Sequence, residues 1–204
     1  GCTHVVMEVS SHSLVLHRVA GIHFAVGAFT NLTQDHLDFH HTMDEYAKAK
    51  AMLFTMCETG CVNVDDKWHD IMLDHASCKL VTYSAENNSA TLVAKDVRLS
   101  ASGVKFCAVT ENALSHVKLA IPGKFSVYNA LGVIAVGLAL GISLDDCTDA
   151  MGSAKGVKGR MEVVPTDGDY TIVIDYAHTP DALENALKAL RTGEKGRLVA
   201  LFGC

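Results

Sequence analysis

The chain has 204 residues, and 17 lysine and arginine residues against 23 aspartate and glutamate residues give it a net charge of −6 with histidine neutral. Apolar residues make up 49% of the chain and charged residues 20%, a balance typical of globular proteins, which argues against a disordered chain. The acidic balance and the absence of a lysine- and arginine-rich stretch argue against a broad nucleic-acid-binding surface.

Membrane and secretion signals are also missing from the sequence. The longest apolar stretch, Val127–Gly141, is interrupted by Asn129 and is shorter than a membrane span. The seven cysteines never form a Cys-x-x-Cys pair, which is typical of reduced thiols in the cytosol. The chain begins with glycine rather than methionine, and we interpret it as an interior piece of a longer cytoplasmic protein without membrane insertion.

Predicted strands and helices alternate in the first 85 residues. Buried strands are predicted at Val5–Met7 and 25–30, further strands at 61–64 and 79–83, and helices at 42–56 and 65–76. Thr42 begins the first of these helices with a capping box, in which Glu45 reaches back to the cap. Such alternation predicts a parallel α/β sheet.

The rest of the chain breaks this alternation. Segments 91–99, 104–110 and 115–121 alternate apolar and polar residues and predict an antiparallel meander. The segment 125–140 is apolar on nearly all sides and predicts a buried helix that ends at Gly141, and Ser143 caps another. The predicted fold class is therefore α/β, a mostly parallel sheet with a small antiparallel β section.

A domain boundary is predicted in the glycine- and lysine-containing segment 155–159. We assign residues 1–157 to one domain and 158–204 to the beginning of a second, Rossmann-like domain. In the second part, strands are predicted at 161–165, 171–175 and 198–202, with a helix that Thr179 caps.

Polar residues follow two of the predicted buried strands. Glu8 ends the first strand at the sheet edge where α/β proteins bind ligands, although it could instead cap the next helix, as could Ser10. The loop 30–41 holds two carboxylates and three histidines, which suggests a metal or phosphate site. A polar surface loop is the alternative.

Lys50 lies on the apolar face of the predicted helix 42–56, together with Tyr46 and Leu53. A lysine on such a face is costly unless it is paired, loses its proton or is modified. Alternatively, the side chain of Lys50 extends along the apolar surface and keeps its ammonium group in solvent. A buried Asn129 amide needs hydrogen-bond partners, and it could pair with the backbone or point at a ligand. Arg160 at the boundary and Asp175 after a strand suit a nucleotide held between two domains, or a hinge ion pair and a helix cap.

Five motifs in order resemble the Mur ligases. They are Glu-Val-Ser-Ser-His-Ser-Leu at 8–14, Phe-Thr-Asn-Leu-Thr-Gln-Asp-His-Leu-Asp-Phe-His at 29–40, Tyr-Ala-Lys-Ala-Lys at 46–50, Gly-Arg-Met-Glu at 159–162 and Asp-Tyr-Ala-His-Thr-Pro-Asp at 175–181. The second motif is most similar to the MurE branch, which adds the third amino acid to UDP-MurNAc-L-Ala-D-Glu in peptidoglycan synthesis. Ser126 and Leu16 depart from residues common in the family.

The resemblance implies a Mur ligase central domain followed by the start of its C-terminal domain, in a monomeric enzyme. It implies an ATP- and Mg²⁺-dependent ligase that joins meso-diaminopimelate or L-lysine to UDP-MurNAc-L-Ala-D-Glu through an acyl phosphate. The implied metal ligands are Glu8, His36 and a carbamylated Lys50; substrate contacts are Ser10 and Arg18; ATP contacts are Asn129, Arg160, Asp175 and His178; and catalytic groups are Lys50, His36 and Arg160.

The chain contains no Gly-x-x-x-x-Gly-Lys-Ser/Thr phosphate loop, so we expect that loop upstream and expect the 204-residue piece alone to be inactive. Three other readings stay open. One is a sibling ligase of the folylpolyglutamate or cyanophycin synthetase type, another is a homologue without catalytic activity, and the last is a metallohydrolase that uses His36, Asp38 and His40.

Overall fold

The structure, a computed structural model, describes residues 1–100, 103–154, 156–191 and 196–203. A six-stranded sheet dominates it, and its strands follow chain order. They are β1 (Phe24–Phe29), β2 (Cys57–Asn63), β3 (Lys79–Ser84), β4 (Leu92–Ser100), β5 (Gly103–Val109) and β6 (Leu114–Leu119). The first four strands pair in parallel and the last three antiparallel, so the predicted α/β class and the antiparallel section are confirmed.

Helices connect and cover these strands. They are α1 (Ser11–Val15), α2 (Leu37–His40), α3 (Met43–Ala51) with a following 3₁₀ turn (Met52–Thr55), α4 (His69–His75), α5 (Lys124–Ala139), α6 (Leu144–Gly152) and α7 (Pro180–Arg191). The hydroxyl of Thr42 accepts the amide N–H of Glu45 at 3.2 Å, as the predicted cap requires. None of the helices in the described ranges is long and apolar enough to span a bilayer.

The two faces of the sheet carry separate cores, because successive strand residues point in opposite directions. Cys61 of β2 belongs to the core that α5 and α6 cover. Its neighbour Val62 belongs to the core formed with α3, the 3₁₀ turn and α4. Both side chains are fully buried. The parallel part of the sheet is therefore covered on both faces, as parallel sheets require.

Helix α5 is buried on one side, as its sequence predicts, but is exposed on the other. Val127, Leu131 and Ile134 are fully buried against the sheet, and Gly141 follows the helix with a φ of +81°. The opposite side is open: Val133 is 55% exposed, and Asn129 is exposed rather than buried. The prediction of a buried Asn129 amide is wrong, because a nearly continuous apolar sequence hides which face a helix buries.

The C-terminal part contains a two-stranded antiparallel sheet of β7 (Glu162–Val164) and β8 (Ile172–Ile174). Met161, Ala186 and Ala189 form its small core, against which Phe125 of α5 packs. The strand predicted as buried is half-exposed, with Ile174 at 49%. Lys155, in the predicted boundary segment, lies outside the described residues, and the division at 157 and 158 stays a prediction.

Other predicted elements differ from the structure. Residues 5–7 and 198–202 form no strand, and Val6 and Leu201 are each 99% exposed. An apolar run forms a strand only when a neighbour completes its hydrogen-bond ladder, and no described strand pairs with either segment. The helix predicted over 65–76 is confined to α4, because Asp66 accepts the Trp68 N–H at 2.9 Å and holds a turn.

A substitution at Gly60 would test how tightly the side of the sheet that faces α3 is packed. A Cβ at this position would lie 2.5 Å from Cδ1 of Phe54, a fully buried ring with little room to move. We expect Gly60→Ala to lower the free energy of unfolding by about 1–3 kcal/mol, measured as a lower thermal unfolding temperature. Gly152→Ala is the control, because its Cβ would meet nothing within 4 Å. Equal stability of the two variants would contradict this packing.

Candidate active site

Side-chain hydrogen bonds connect the carboxyl ends of β1, β2 and β3, which lie at one edge of the sheet. Asn63 donates through Nδ2 to the carbonyl oxygen of Thr30 at 2.8 Å, and its Oδ1 accepts the N–H of Asp65 at 3.1 Å. Asp65 in turn accepts the N–H of Ala85 at 2.7 Å and that of Glu86 at 3.2 Å. This edge is the usual ligand-binding side of a parallel α/β sheet.

Lys50 lies half-buried near this edge, at the end of α3. Its Nζ is 5.4 Å from the centre of the Tyr46 ring. Burial lowers the pKa of Lys50, while the nearby carboxylates of Glu8 and Asp35 act in the opposite direction. Lys48 of the same helix is exposed and pairs with Asp44 at 2.6 Å. The structure therefore separates an ordinary surface lysine from one that is partly withdrawn from water.

His36 sits where the chain turns into α2. It has a left-handed φ of +54°, and its N–H donates to Oδ1 of Asp35 at 2.8 Å. Its Nε2 lies 3.5 Å from Oδ2 of the same carboxylate. Asp35 therefore holds both the backbone and the ring of His36, and it also contributes negative charge near Lys50.

A stack of rings supports the tyrosine beside Lys50. His40 is 5% exposed and lies nearly parallel to Tyr46, with ring centres 4.9 Å apart and an angle of 13°. Its Nε2 is 2.8 Å from Oγ of Ser11 in α1. His12 contacts the stack edge-on, 5.5 Å from His40. Burial is the main cause that lowers the pKa of His40, and the neighbouring His12 and His36 act in the same direction.

This arrangement does not support the metallohydrolase reading. His40 directs Nε2 at Ser11, and it stacks on a ring instead of facing a shared centre with His36 and Asp38. Across the described parts of the chain, no three histidine, cysteine, aspartate or glutamate side chains converge in a way that could hold a metal ion. His36 and His40 have the four-residue spacing of one helix face, but His40 packs against Tyr46 instead of binding a metal with His36.

A second group of candidate residues lies in the C-terminal part. Asp175 accepts the N–H of Met161 through Oδ2 at 2.8 Å and that of Ala177 through Oδ1 at 2.9 Å. The first bond brings Asp175 next to Arg160. The Arg160 guanidinium lies over the Tyr176 ring, with Cζ 4.5 Å from its centre.

His178 completes this group with an edge contact to Tyr176, and the two ring centres are 4.9 Å apart. Its Nδ1 lies 3.0 Å from the carbonyl oxygen of Tyr176. Arg160, Asp175 and His178 are all exposed. The structure thus brings together three residues that the sequence proposed for one ligand, around a tyrosine that sequence reasoning did not select.

The remaining candidates occupy simpler positions. Ser10 is the N-cap of α1 and accepts the N–H of Ser13 at 3.1 Å. Its contacts in this structure are therefore those of the helix cap that the sequence also predicted as an alternative. Arg18 is exposed just beyond α1, and Glu8 is exposed ahead of it. Asn129 lies on the open side of α5, next to Tyr128, whose pKa is raised by burial and by the carboxylates of the β2 and β3 edge.

Residues 1–137 match the model of the Mur ligase middle domain, and residues 159–204 match that of the Mur ligase glutamate ligase domain. The chain belongs to the Mur ligase family.

Individual Mur ligases resemble the chain over nearly all of its length. The UDP-N-acetylmuramoyl-L-alanyl-D-glutamate–2,6-diaminopimelate ligase of Caldanaerobacter subterraneus subsp. tengcongensis is 48% identical over 204 residues, which are 100% of this chain and 42% of that protein. The corresponding ligase 1 of Clostridium acetobutylicum is 47% identical over 98% of this chain and 42% of its own length. The chain thus spans less than half the length of these relatives.

Solved structures agree with this assignment. A structure of a UDP-N-acetylmuramoyl-L-alanyl-D-glutamate–2,6-diaminopimelate ligase has a TM-score of 0.80 and 34% identity, and the match covers 96% of this chain and 41% of that one. MurF from Acinetobacter baumannii has a TM-score of 0.76 at 23% identity, over 83% of this chain and 38% of its own. The second likeness concerns the fold alone.

His12 and Tyr176 are the site residues that sequence reasoning missed. Tyr46 is predicted on the Lys50 face of α3 without a role in the site, and its position four residues before Lys50 is a signal for contact between the two side chains. Nothing comparable pointed to Tyr176, because its contact with Arg160 joins residues 16 positions apart through the fold.

A substitution at His40 would test whether the stack of His40 on Tyr46 stabilises this Mur ligase site. We expect His40→Ala to lower the free energy of unfolding by about 2 kcal/mol, because it removes buried packing and leaves the Ser11 hydroxyl without its partner. His75→Ala is the matched control, since His75 is also in the last turn of a short helix but is exposed. Thermal unfolding of both variants is the measurement. A loss of similar size in the two would contradict the role given to the stack.

Proposed function

We propose that the protein containing this chain is an ATP-dependent amide ligase that joins 2,6-diaminopimelate to UDP-MurNAc-L-Ala-D-Glu. The observation that carries the proposal is the 48% identity with a ligase of that name along the entire chain. Because the chain spans 42% of that relative's length, residues outside it complete the site. The reactants are soluble nucleotides and amino acids, and we place the reaction in the cytoplasm with the enzyme as a monomer.

The surroundings of Lys50 support a carbamylated lysine. A lowered pKa raises the fraction of neutral amine, which is the form that attacks CO₂; an N–C bond forms and a proton leaves. The product is a carboxylate, and its oxygen and that of Glu8 are the kind of donor that Mg²⁺ prefers. His36 would be the third member of the set, and its nitrogen is the less usual donor for this ion. Mg²⁺ bound there would neutralise charge on the ATP phosphates.

The C-terminal group supports a nucleotide contact. Arg160 supplies an exposed positive charge suited to phosphate oxygens, and its stacking on Tyr176 limits where that charge can go. Asp175 makes two backbone hydrogen bonds and keeps acceptor capacity for ribose hydroxyls. His178 would lie near the nucleotide, and Asn129, on the open side of α5, would approach the adenine.

The proposed reaction has two steps. The γ-phosphoryl group of ATP passes to the γ-carboxylate of D-glutamate and gives an acyl phosphate. The amine of diaminopimelate then attacks the acyl carbon, and phosphate leaves. Residues of this chain would act by position and charge: Ser10 and Arg18 on the UDP-MurNAc dipeptide, and Arg160 on the phosphates. Closure of the C-terminal domain would bring Arg160 and Asp175 to the ATP.

The test is ADP release by the whole protein. We expect release only when UDP-MurNAc-L-Ala-D-Glu, Mg²⁺ and meso-diaminopimelate are all present, and little with L-lysine instead. Release that requires L-lysine would keep the ligase and correct the amino acid. The absence of release with either diamine would overturn the proposal in favour of a sibling Mur-like ligase or a homologue without activity.

Two lysines of α3 provide the matched comparison. Lys50→Ala should lower kcat by about 100-fold or more, because it removes a ligand of the charge-neutralising centre. Lys48→Ala should change kcat little, because Lys48 is exposed and its ion pair is with Asp44 of the same helix. Similar activity of the two variants would argue against the role given to Lys50.

A further inference from the structure

Two cysteine thiols meet at the edge of the sheet opposite the candidate active site. Cys57 is the first residue of β2, and Cys78 directly precedes β3. Their Sγ atoms are 3.7 Å apart. We propose that Cys57 and Cys78 form a disulfide when the protein meets a hydroperoxide, and that this bond fastens the start of β2 to the start of β3.

The two cysteines lie just ahead of the paired region of β2 and β3. Thr59 and Lys79 form the first pair of the parallel ladder, and Cys78 lies in the bend that precedes β3. The Sγ atoms are already 3.7 Å apart there. Formation of the bond would shorten that distance to about 2.05 Å.

Two glycines leave room for the sulfurs. A Cβ at Gly27 of β1 would lie 3.1 Å from Sγ of Cys57, and a Cβ at Gly60 of β2 would lie 3.2 Å from Sγ of Cys78. Side chains at either position would crowd the thiols. The sequence of the neighbouring strands thus sets the space around the pair.

The two thiols have different access to an oxidant. Cys57 is 5% exposed, and burial is the main cause that raises its pKa to about 12, so it remains a thiol. Cys78 is half-buried and is the sulfur that a hydroperoxide reaches first. The order of events follows from this difference.

The chemistry balances with hydrogen peroxide as the oxidant. The Cys78 thiol loses its proton to water, its thiolate attacks a peroxide oxygen, and the O–O bond breaks. Cys78 becomes a sulfenic acid, and the departing hydroxide takes up the released proton to form water. The Cys57 sulfur then attacks the sulfenic sulfur; the S–S bond forms, the S–O bond breaks, and the hydroxyl departs as water with the Cys57 proton. The two thiols lose two electrons in all, and the peroxide becomes two molecules of water.

The bond would close a loop that includes β2 and α4, because the two cysteines are 21 positions apart. A loop of that size restricts the unfolded chain and stabilises the folded one. The expected result is a thermal unfolding temperature several degrees higher after oxidation, returning to its starting value with dithiothreitol.

The experiment is peptide mapping of the whole protein after stoichiometric hydrogen peroxide. The protein is alkylated in denaturant and digested without reduction, and we expect a peptide pair linked through Cys57 and Cys78, together with the rise in unfolding temperature. Cys78→Ser should lose both effects. Cys107→Ser, which replaces another buried thiol in β5, should keep both.

Several results would overturn the proposal. Both cysteines could be recovered as separate alkylated peptides, or Cys78 as a sulfinic acid, or either of them linked to another cysteine such as the exposed Cys2. A Cys57–Cys78 bond without a change in unfolding temperature would overturn the fastening role. Because the linked peptide is sought in the unsubstituted protein, the result does not depend on how well a variant folds.

Discussion

A lysine amine that is partly withdrawn from water, near two carboxylates and over a tyrosine ring, is the constraint on which this site depends. Burial disfavours the ammonium form of Lys50, and the nearby charges of Glu8 and Asp35 favour it. The two effects on the pKa of Lys50 therefore oppose each other. Under the proposed function, conversion of the amine to a carbamate would remove the cation and make the position a source of oxygen ligands.

The surrounding structure fixes this amine in place. Thr42 sets where α3 begins, and Tyr46 and His40 stack beneath Lys50. Ser11 ties His40 to α1, which directly follows Glu8 in sequence. These contacts thus hold α1, α2 and α3 against one another. The group around Tyr176 is built differently, from exposed side chains whose positions depend on backbone contacts of Asp175.

Local patterns predicted much of this structure, and partners outside a pattern account for the rest. Thr42 and Lys50 were identified because a cap and a lysine on an apolar face are local signals in one helix. Residues 5–7 were misassigned because a strand needs a neighbour that the pattern does not show, and Asn129 because an apolar helix does not reveal its buried face. The contact of Tyr176 with Arg160 joins distant positions, so no single segment contains it.

Detection of the carbamate itself tests the central claim most directly. The whole protein would be equilibrated with ¹³C-bicarbonate and its ¹³C NMR spectrum recorded, with Lys50→Ala and Lys48→Ala measured in parallel. A carbamate resonance that is present in the unsubstituted protein and in Lys48→Ala, and is missing in Lys50→Ala, is the predicted result. The lack of such a resonance in the unsubstituted protein, or its persistence in Lys50→Ala, would contradict the account of Lys50.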